Sequence, residues 1–125
     1  MTEPTRLSLA VERLPGLAPG TVIFRFIGPF TARAVFANQS PEAFDKLFAF
    51  ESTPPTTAHI FDLAAVPYMD SAGLGMVVRH YTRCKSAAVR FTAAAPTSRV
   101  LDLFTLTKVD TVLPLATTVA QADIP

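Results

Sequence analysis

The chain has 125 residues, half of them hydrophobic, which suits one domain with one core, residues 1–125, its core within roughly 6–120. Eleven Lys and Arg nearly balance ten Asp and Glu, so no net field attracts nucleic acid or anionic membranes. One cysteine excludes an internal disulfide, and Pro or charges interrupt every apolar run before the roughly 20 residues of a membrane span. With no leader pattern at the start, we expect a cytoplasmic domain without membrane insertion.

Two strands are predicted at the start of the chain. Apolar and polar residues alternate over Leu7–Leu14, and a second apolar run covers Thr21–Ile27. Between them, Pro15-Gly16 and Pro19-Gly20 are typical of turns. The two runs therefore predict a hairpin.

A helix is predicted next. Ser40-Pro41-Glu42 supplies a capping hydroxyl, a proline suited to the first helical position and an early acidic residue. Apolar residues follow at helical spacing. Ser52–Pro55 then ends the helix near Glu51, because the residue before a proline is pushed out of helical geometry.

Strands and helices alternate in the second half of the chain. The predicted elements are a strand at His59–Leu63, a helix from the Asp70-Ser71 joint onward, a strand at Ala88–Thr92, a helix opened by Pro96-Thr97-Ser98, and an edge strand at Val112–Ala116. This order predicts an α/β fold with a mixed central β-sheet and helices packed mainly on one face.

The helix after the joint has one apolar stripe, formed by Leu74, Val77, Val78 and Tyr81. Its remaining faces carry Arg79, His80, Arg83 and Lys85. Cys84 continues the stripe and is predicted to be a buried small hydrophobe and not a nucleophile. Asp62 is predicted to accept hydrogen bonds from loop amides, and the pattern assigns no role to His59 or His80.

The joint itself is the candidate functional site. If Asp70 caps the helix and Ser71 occupies its first turn, free backbone N–H groups and the positive end of the helix dipole lie beside the serine. A phosphoryl group on Ser71 would add about −1.5 to −2 charges where the helix tolerates them. A partner shaped for the neutral hydroxyl would have to desolvate that charge beside Asp70. We therefore expect phosphorylation to switch binding off without unfolding the domain.

A partner-binding surface is predicted around this serine. Ala72, Gly73 and Gly75 leave the start of the helix without bulk, so a partner's backbone can come close, and Met76 and Arg79 continue the same side. Asp70 and Ser71 complete the surface. A simpler alternative stays open, in which Asp-Ser is only a cap signal and the glycines serve tight packing of the helix on the sheet.

The segment from His59 to Gly75, with Asp-Ser-Ala-Gly-Leu-Gly at residues 70–75, resembles the STAS domain of bacterial anti-sigma factor antagonists. The resemblance implies that Ser71 is phosphorylated by an anti-sigma factor with serine-kinase activity. It also implies that the unphosphorylated form binds this partner and releases the sigma factor, which regulates transcription. A phosphoserine phosphatase is implied as a second partner, and a weak homodimer is a further option.

The chain also departs from that family. Many members carry a Gly-Glu-Leu-Asp type segment where this chain has Gly28–Thr31, which lacks an acidic group. STAS domains also serve as accessory subunits of ABC-type lipid transport systems, and this is the alternative function. Ser71 lacks the Gly-x-Ser-x-Gly setting of a hydrolase, and no phosphate-binding loop or metal-ligand spacing is present, so we expect no enzyme activity, cofactor or metal.

Overall fold

The computed structural model describes residues 8–35, 37 and 45–124. Its elements in chain order are β1 (Ala10–Pro15), β2 (Thr21–Ile27), α1 (Ala32–Val35), β3 (Ala58–Ala65), α2 (Ser71–Ser86), β4 (Arg90–Ala94), α3 (Ser98–Leu106), a 3-10 turn (Val109–Thr111), β5 (Leu115–Ala116) and α4 (Val119–Ala122). Residues 45–47 are also helical.

The five strands form one mixed sheet in the order β1-β2-β3-β4-β5. β1 and β2 are antiparallel, which confirms the predicted hairpin, while β2 to β5 run parallel to one another. Because parallel strands end at the same edge of a sheet, the turns that follow β3 and β4 lie together. The helices α2 and α3 both begin at this edge.

The two faces of the sheet are covered unequally. The larger cluster packs α2 and α3 against the face that carries most of the aromatic residues of β2 and β3, including Phe24, Phe26 and Phe61. On the opposite face, Ala122 of α4 packs against Ile60 and Ala94 in a much smaller cluster. The α/β fold with helices mainly on one face is therefore confirmed.

Several boundaries in the first half differ from the prediction. β1 begins at Ala10, and Leu7 lies outside the described residues. The predicted helix start at Ser40-Pro41-Glu42 also lies outside them. Helical geometry at residues 45–47 ends at Phe48, which forms a turn, so the helix stops before Glu51.

The fourth strand begins at Arg90, two residues later than predicted. The preceding residues complete the end of α2, because Ala87 is its C-cap and Ala88 has a left-handed φ of 56°. The Val89 amide then donates to the Cys84 carbonyl at 2.8 Å. These backbone amides serve the helix terminus and are withheld from the sheet.

The last strand is shorter than predicted. Residues 109–111 form a 3-10 turn, and only Leu115–Ala116 pairs with β4. Pro114 has no N–H to donate, although its carbonyl accepts from the Ala93 amide at 2.9 Å. The edge position of this strand is confirmed. Among the described helices, none has the length and apolarity needed to cross a membrane.

Candidate functional site

The joint between β3 and α2 has the predicted capping geometry. Asp70 is the N-cap of α2, with extended backbone angles (φ −102°, ψ −177°), and its Oδ1 accepts from the Gly73 amide at 2.9 Å. Ser71 is the first helical residue and is exposed. Among the described residues, none forms a hydrogen bond with the Ser71 hydroxyl. The hydroxyl is therefore accessible to a partner at a fixed backbone position.

Asp70 also connects this helix to the segment after β2. Its second carboxylate oxygen, Oδ2, accepts from the Ala32 amide at the start of α1, at 3.3 Å. The Asp70 amide donates to the Phe30 carbonyl at 3.3 Å, and Phe30 forms a parallel bridge with Met69. One carboxylate thus holds the beginnings of two helices together.

The predicted surface residues differ in their exposure. Ala72, Gly75 and Arg79 are exposed and Met76 is half-buried, so these residues lie with Ser71 on the accessible side of α2. Gly73 is buried beneath the segment after β2, and a methyl group there would collide with the Phe30 carbonyl oxygen. The missing side chain of Gly73 therefore serves close packing within this chain, and Gly73 is not part of the exposed surface.

A feature that the sequence analysis missed lies beside the joint, at the start of α3. The Arg99 guanidinium lies 5.2 Å from the centre of the Tyr68 ring, a cation–π contact. The Thr97 hydroxyl donates to the Val66 carbonyl at 2.9 Å, which fixes α3 to the end of β3. The parallel order of β3 and β4 was the available signal, since it brings the residues after both strands to one edge.

The prediction for Asp62 is confirmed only in part, because its carboxylate accepts from a backbone amide of β3 and not from a loop amide. Asp62 Oδ1 accepts from the Ala64 amide at 3.1 Å, and both residues lie within β3. The second oxygen lies 3.6 Å from Arg25 Nε on β2. Both contacts are therefore made within neighbouring strands of the sheet.

The placement of His80 on a polar face of α2 was wrong. His80 is 4% exposed, and its ring stacks on the rings of His59 and Phe61. Cys84, one turn further along α2, is fully buried as predicted. The face of α2 that packs most directly on the sheet contains Val77, His80 and Cys84. The neighbouring face with Val78 and Tyr81 is only partly buried, so His80 lies on the core side.

Burial controls the protonation of this cluster. Desolvation, together with the positive charges of His80, Arg13 and Arg83, lowers the pKa of His59 to about 3. Desolvation and Arg83 lower the pKa of His80 to about 4. Burial raises the pKa of the Cys84 thiol to about 11. All three groups are therefore neutral at pH 7.

The fold has relatives of known structure. An anti-sigma factor antagonist from Mycobacterium paratuberculosis superposes with a TM-score of 0.73 at 21% identity, covering 96% of this chain and 95% of that chain. SpoIIAA, an anti-sigma factor antagonist in its unphosphorylated form, gives 0.65 at 20% identity, covering 90% and 92%. A proposed anti-sigma factor antagonist from Thermotoga maritima gives 0.69 at 18% identity, covering 90% of each chain.

The comparison with sequence families is more decisive, because identities near 20% show the shared fold alone. None of the curated protein sequences gives a significant match to this chain. The model of the STAS domain, in contrast, matches residues 11–122, which includes every strand from β1 to β5 except the first residue of β1. This chain belongs to the STAS domain family.

Proposed function

We propose that this protein is an anti-sigma factor antagonist, a non-enzymatic, cytoplasmic binding protein that regulates transcription through the phosphorylation state of Ser71. The observation that carries the proposal is the exposed Ser71 hydroxyl at the first position of α2, beside a capping carboxylate, in a STAS fold. The solved structures with similar folds include two anti-sigma factor antagonists, which supports the proposal. The partner would be an anti-sigma factor with serine-kinase activity, and a phosphoserine phosphatase would reverse the modification.

The geometry of the joint supports a switch in binding and not in folding. A phosphoryl group on Ser71 would lie at the N-terminus of a 16-residue helix, where unpaired amides and the helix dipole favour negative charge. The Ser71 side chain contributes no hydrogen bond to the described part of the fold. Its modification therefore removes no internal contact, and the cost falls on a partner that must cover a dianion beside Asp70.

The proposed partner surface consists of the accessible residues of the joint: Asp70, Ser71, Ala72, Gly75, Met76 and Arg79. In the part of the chain that the structure describes, nothing lies within 4 Å of the position that a Gly75 side chain would occupy, so a partner's backbone can approach α2 there. Arg79 offers a planar cation that can pair with a carboxylate of the partner. Gly73 acts indirectly, by holding α2 against the segment after β2.

The test compares proteins retained from a lysate of the source organism by immobilised wild type, Ser71→Ala and Ser71→Glu. Ser98→Glu is the matched control, because Ser98 is the exposed first residue of α3 and receives the same change at the same helical position. We expect wild type, Ser71→Ala and Ser98→Glu to retain an anti-sigma factor with a kinase domain. The amount of this anti-sigma factor retained by Ser71→Glu should be at least about tenfold lower, because the glutamate carboxylate must be desolvated in the interface.

A second step tests the modification itself. The retained kinase, supplied with ATP, should transfer one phosphoryl group to wild type and to Ser98→Glu, and none to Ser71→Ala, as measured by intact mass. Equal retention of the kinase by Ser71→Glu and wild type would contradict the switch. Retention of ABC-transporter subunits by all variants would instead support the alternative function as an accessory subunit. Ser71 would then have only a structural role in the first turn of α2.

A further inference from the structure

Two imidazoles and a thiol meet in the core between β3 and α2. His59 Nδ1 lies 2.9 Å from His80 Nε2, and Cys84 Sγ lies 3.4 Å from the same nitrogen. The ligand atoms of the three residues all lie within 4.8 Å of one another. All three side chains are at most 4% exposed. Nothing in the proposed function uses this cluster.

We propose that His59, His80 and Cys84 form a binding site for monovalent copper. Imidazole and thiolate are the protein ligands that soft first-row metal ions select. Bond lengths of about 2.0 Å to nitrogen and 2.3 Å to sulfur, at trigonal angles, place the nitrogens about 3.5 Å apart and the sulfur about 3.7 Å from each. The observed 2.9 Å between the nitrogens and 3.4 Å between the sulfur and His80 Nε2 reach these values when the side chains move apart by about half an ångström, and the sulfur lies within 4.8 Å of the ligand nitrogen of His59.

The charge of the surroundings selects the ion. Aromatic rings, including those of Phe24, Phe50 and Phe61, enclose the imidazoles, and the charges that act on His59 are the guanidinium groups of Arg13 and Arg83. A net positive complex is costly there. Monovalent copper with the Cys84 thiolate is neutral and accepts three ligands. Divalent zinc would leave a net positive charge and one empty position, since zinc prefers four ligands.

The protonation states of the three side chains allow copper to bind. The 2.9 Å contact between His59 Nδ1 and His80 Nε2 requires that one of these nitrogens accepts through a lone pair, and burial of both rings disfavours a charged imidazolium on the other. His59 Nε2 is buried without a hydrogen-bond partner among the described residues, so no outside contact fixes which nitrogen carries the proton. On binding, the Cys84 thiol releases its proton to solvent, three metal–ligand bonds form, and the hydrogen bond between the imidazoles is lost. The copper stays monovalent throughout.

A cavity of about 40 Å³ borders one member of the cluster. Its lining includes His80 and Met76. Phe48 and Phe61 form its apolar walls, while Arg79, Arg83 and Asp45 carry the charges at its border. The two arginines repel a free cation but accept an anionic copper–thiolate complex, which fits delivery by ligand exchange.

The test titrates the full chain with monovalent copper under anaerobic conditions, in competition with the chromogenic chelator bicinchoninate. We expect one equivalent of copper per chain, an ultraviolet thiolate-to-copper charge-transfer band, and an affinity at least about 100-fold lower in Cys84→Ala. Met69→Leu is the control, because it removes a sulfur that borders neither the cavity nor the cluster, and its affinity should stay within about threefold of wild type.

X-ray absorption of the copper-loaded wild type makes the test independent of how Cys84→Ala folds. One sulfur and two nitrogens around the copper support the site. A shell of thioethers alone, a failure of wild type to compete with the chelator, or equal affinity in a folded Cys84→Ala would overturn it. Tighter retention of Zn²⁺ than of copper, measured with a zinc chelator, would also overturn the proposal, because the charge argument would then be wrong.

Discussion

Gly73 and Gly75 are two residues apart on α2 and have opposite surroundings. Gly73 is buried against the Phe30 carbonyl, and its backbone approaches the segment after β2 more closely than any side chain permits. Gly75 faces open space. Close packing therefore explains why residue 73 is a glycine. It does not explain Gly75, because glycine in a helix costs about 1 kcal/mol relative to alanine and no contact within the described fold requires it there.

Gly73→Ala should destabilise the protein by about 2–3 kcal/mol, because its methyl group overlaps a backbone carbonyl that cannot rotate away. Urea unfolding followed by circular dichroism measures the change as a lower midpoint at an unchanged slope. A stability within experimental error of wild type would show that α2 can move off the Phe30 segment without cost, contrary to the packing described here.

Gly75→Ala should stabilise the protein, in contrast to Gly73→Ala. Its methyl group meets no atom of the described residues, so the free energy of unfolding should rise by about 0.5–1 kcal/mol through better helix propensity. Retention of the anti-sigma factor should nevertheless fall, because the methyl group occupies the surface that the partner approaches. The same urea titration and the capture experiment measure the two effects. Undiminished capture would remove Gly75 from the proposed interface.

At the scale of elements, the joint is a three-way connection. The carboxylate of Asp70 accepts one amide from α2 and one from α1, and its own amide donates to the strand-like residue Phe30. The position of Ser71 therefore depends on two helices and on the segment after β2. A displacement of α1 would be transmitted to Ser71 through this single carboxylate.

Two substitutions of Asp70 separate these connections. In Asp70→Asn the amide oxygen can still accept from Gly73, but the amide nitrogen cannot accept from Ala32, whereas Asp70→Ala loses both bonds. We expect Asp70→Ala to lose about 1–2 kcal/mol and Asp70→Asn less. Native-state hydrogen exchange should accelerate at the Ala32 amide in both variants, and at the Gly73 amide only in Asp70→Ala. Equal acceleration at Gly73 would refute the division of roles.

The elements that the sequence predicts well are those with local signals. The apolar run Thr21–Ile27 follows clear turn residues, and Asp70 followed by a helical stripe marks the start of α2, so both were predicted closely. The start of β4 was placed at Ala88 because its apolar pattern continues through the residues that cap α2. A hydropathy pattern cannot distinguish an amide bonded to a helix end from one bonded to a neighbouring strand.

The histidine cluster shows a different limit. His59 and His80 are 21 residues apart, and their contact depends on how α2 lies across β3. The sequence analysis placed His80 outside the apolar stripe of α2, on the faces that also carry Arg79 and Arg83. The spacing of four between His80 and Cys84 was a usable signal, because it places both side chains on one line of a helix. Expecting no metal site rested on sequence motifs alone, and such motifs do not report clusters formed by folding.

The whole molecule separates its two special regions. Ser71 lies at the edge where the parallel strands end, exposed and free to be modified, while the histidines lie inside the largest cluster between the sheet and α2. Both regions share α2, one at its start and one two turns further on. The stability of the core therefore decides whether α2 stays in place, and the two histidines make that stability depend on pH.

Acidification should weaken the metal-free protein between pH 6.5 and 4. The folded state holds His59 and His80 neutral, with pKa values of about 3 and 4, whereas both histidines bind protons near pH 6.5 when unfolded. The unfolded state thus takes up more protons than the folded state. The contribution of the two neutral histidines to the stability of the fold is therefore complete above pH 6.5 and is lost as the pH falls. The free energy of unfolding should be about 2 kcal/mol lower at pH 5.5 than at pH 6.5.

Because the chain contains only two histidines, their nuclear magnetic resonance signals report this cluster directly. In the folded protein, the imidazole carbon-bound protons should keep constant chemical shifts from pH 8 to pH 5, while in urea both should titrate near pH 6.5. A folded-state titration of either signal near pH 6.5 would contradict the buried neutral pair.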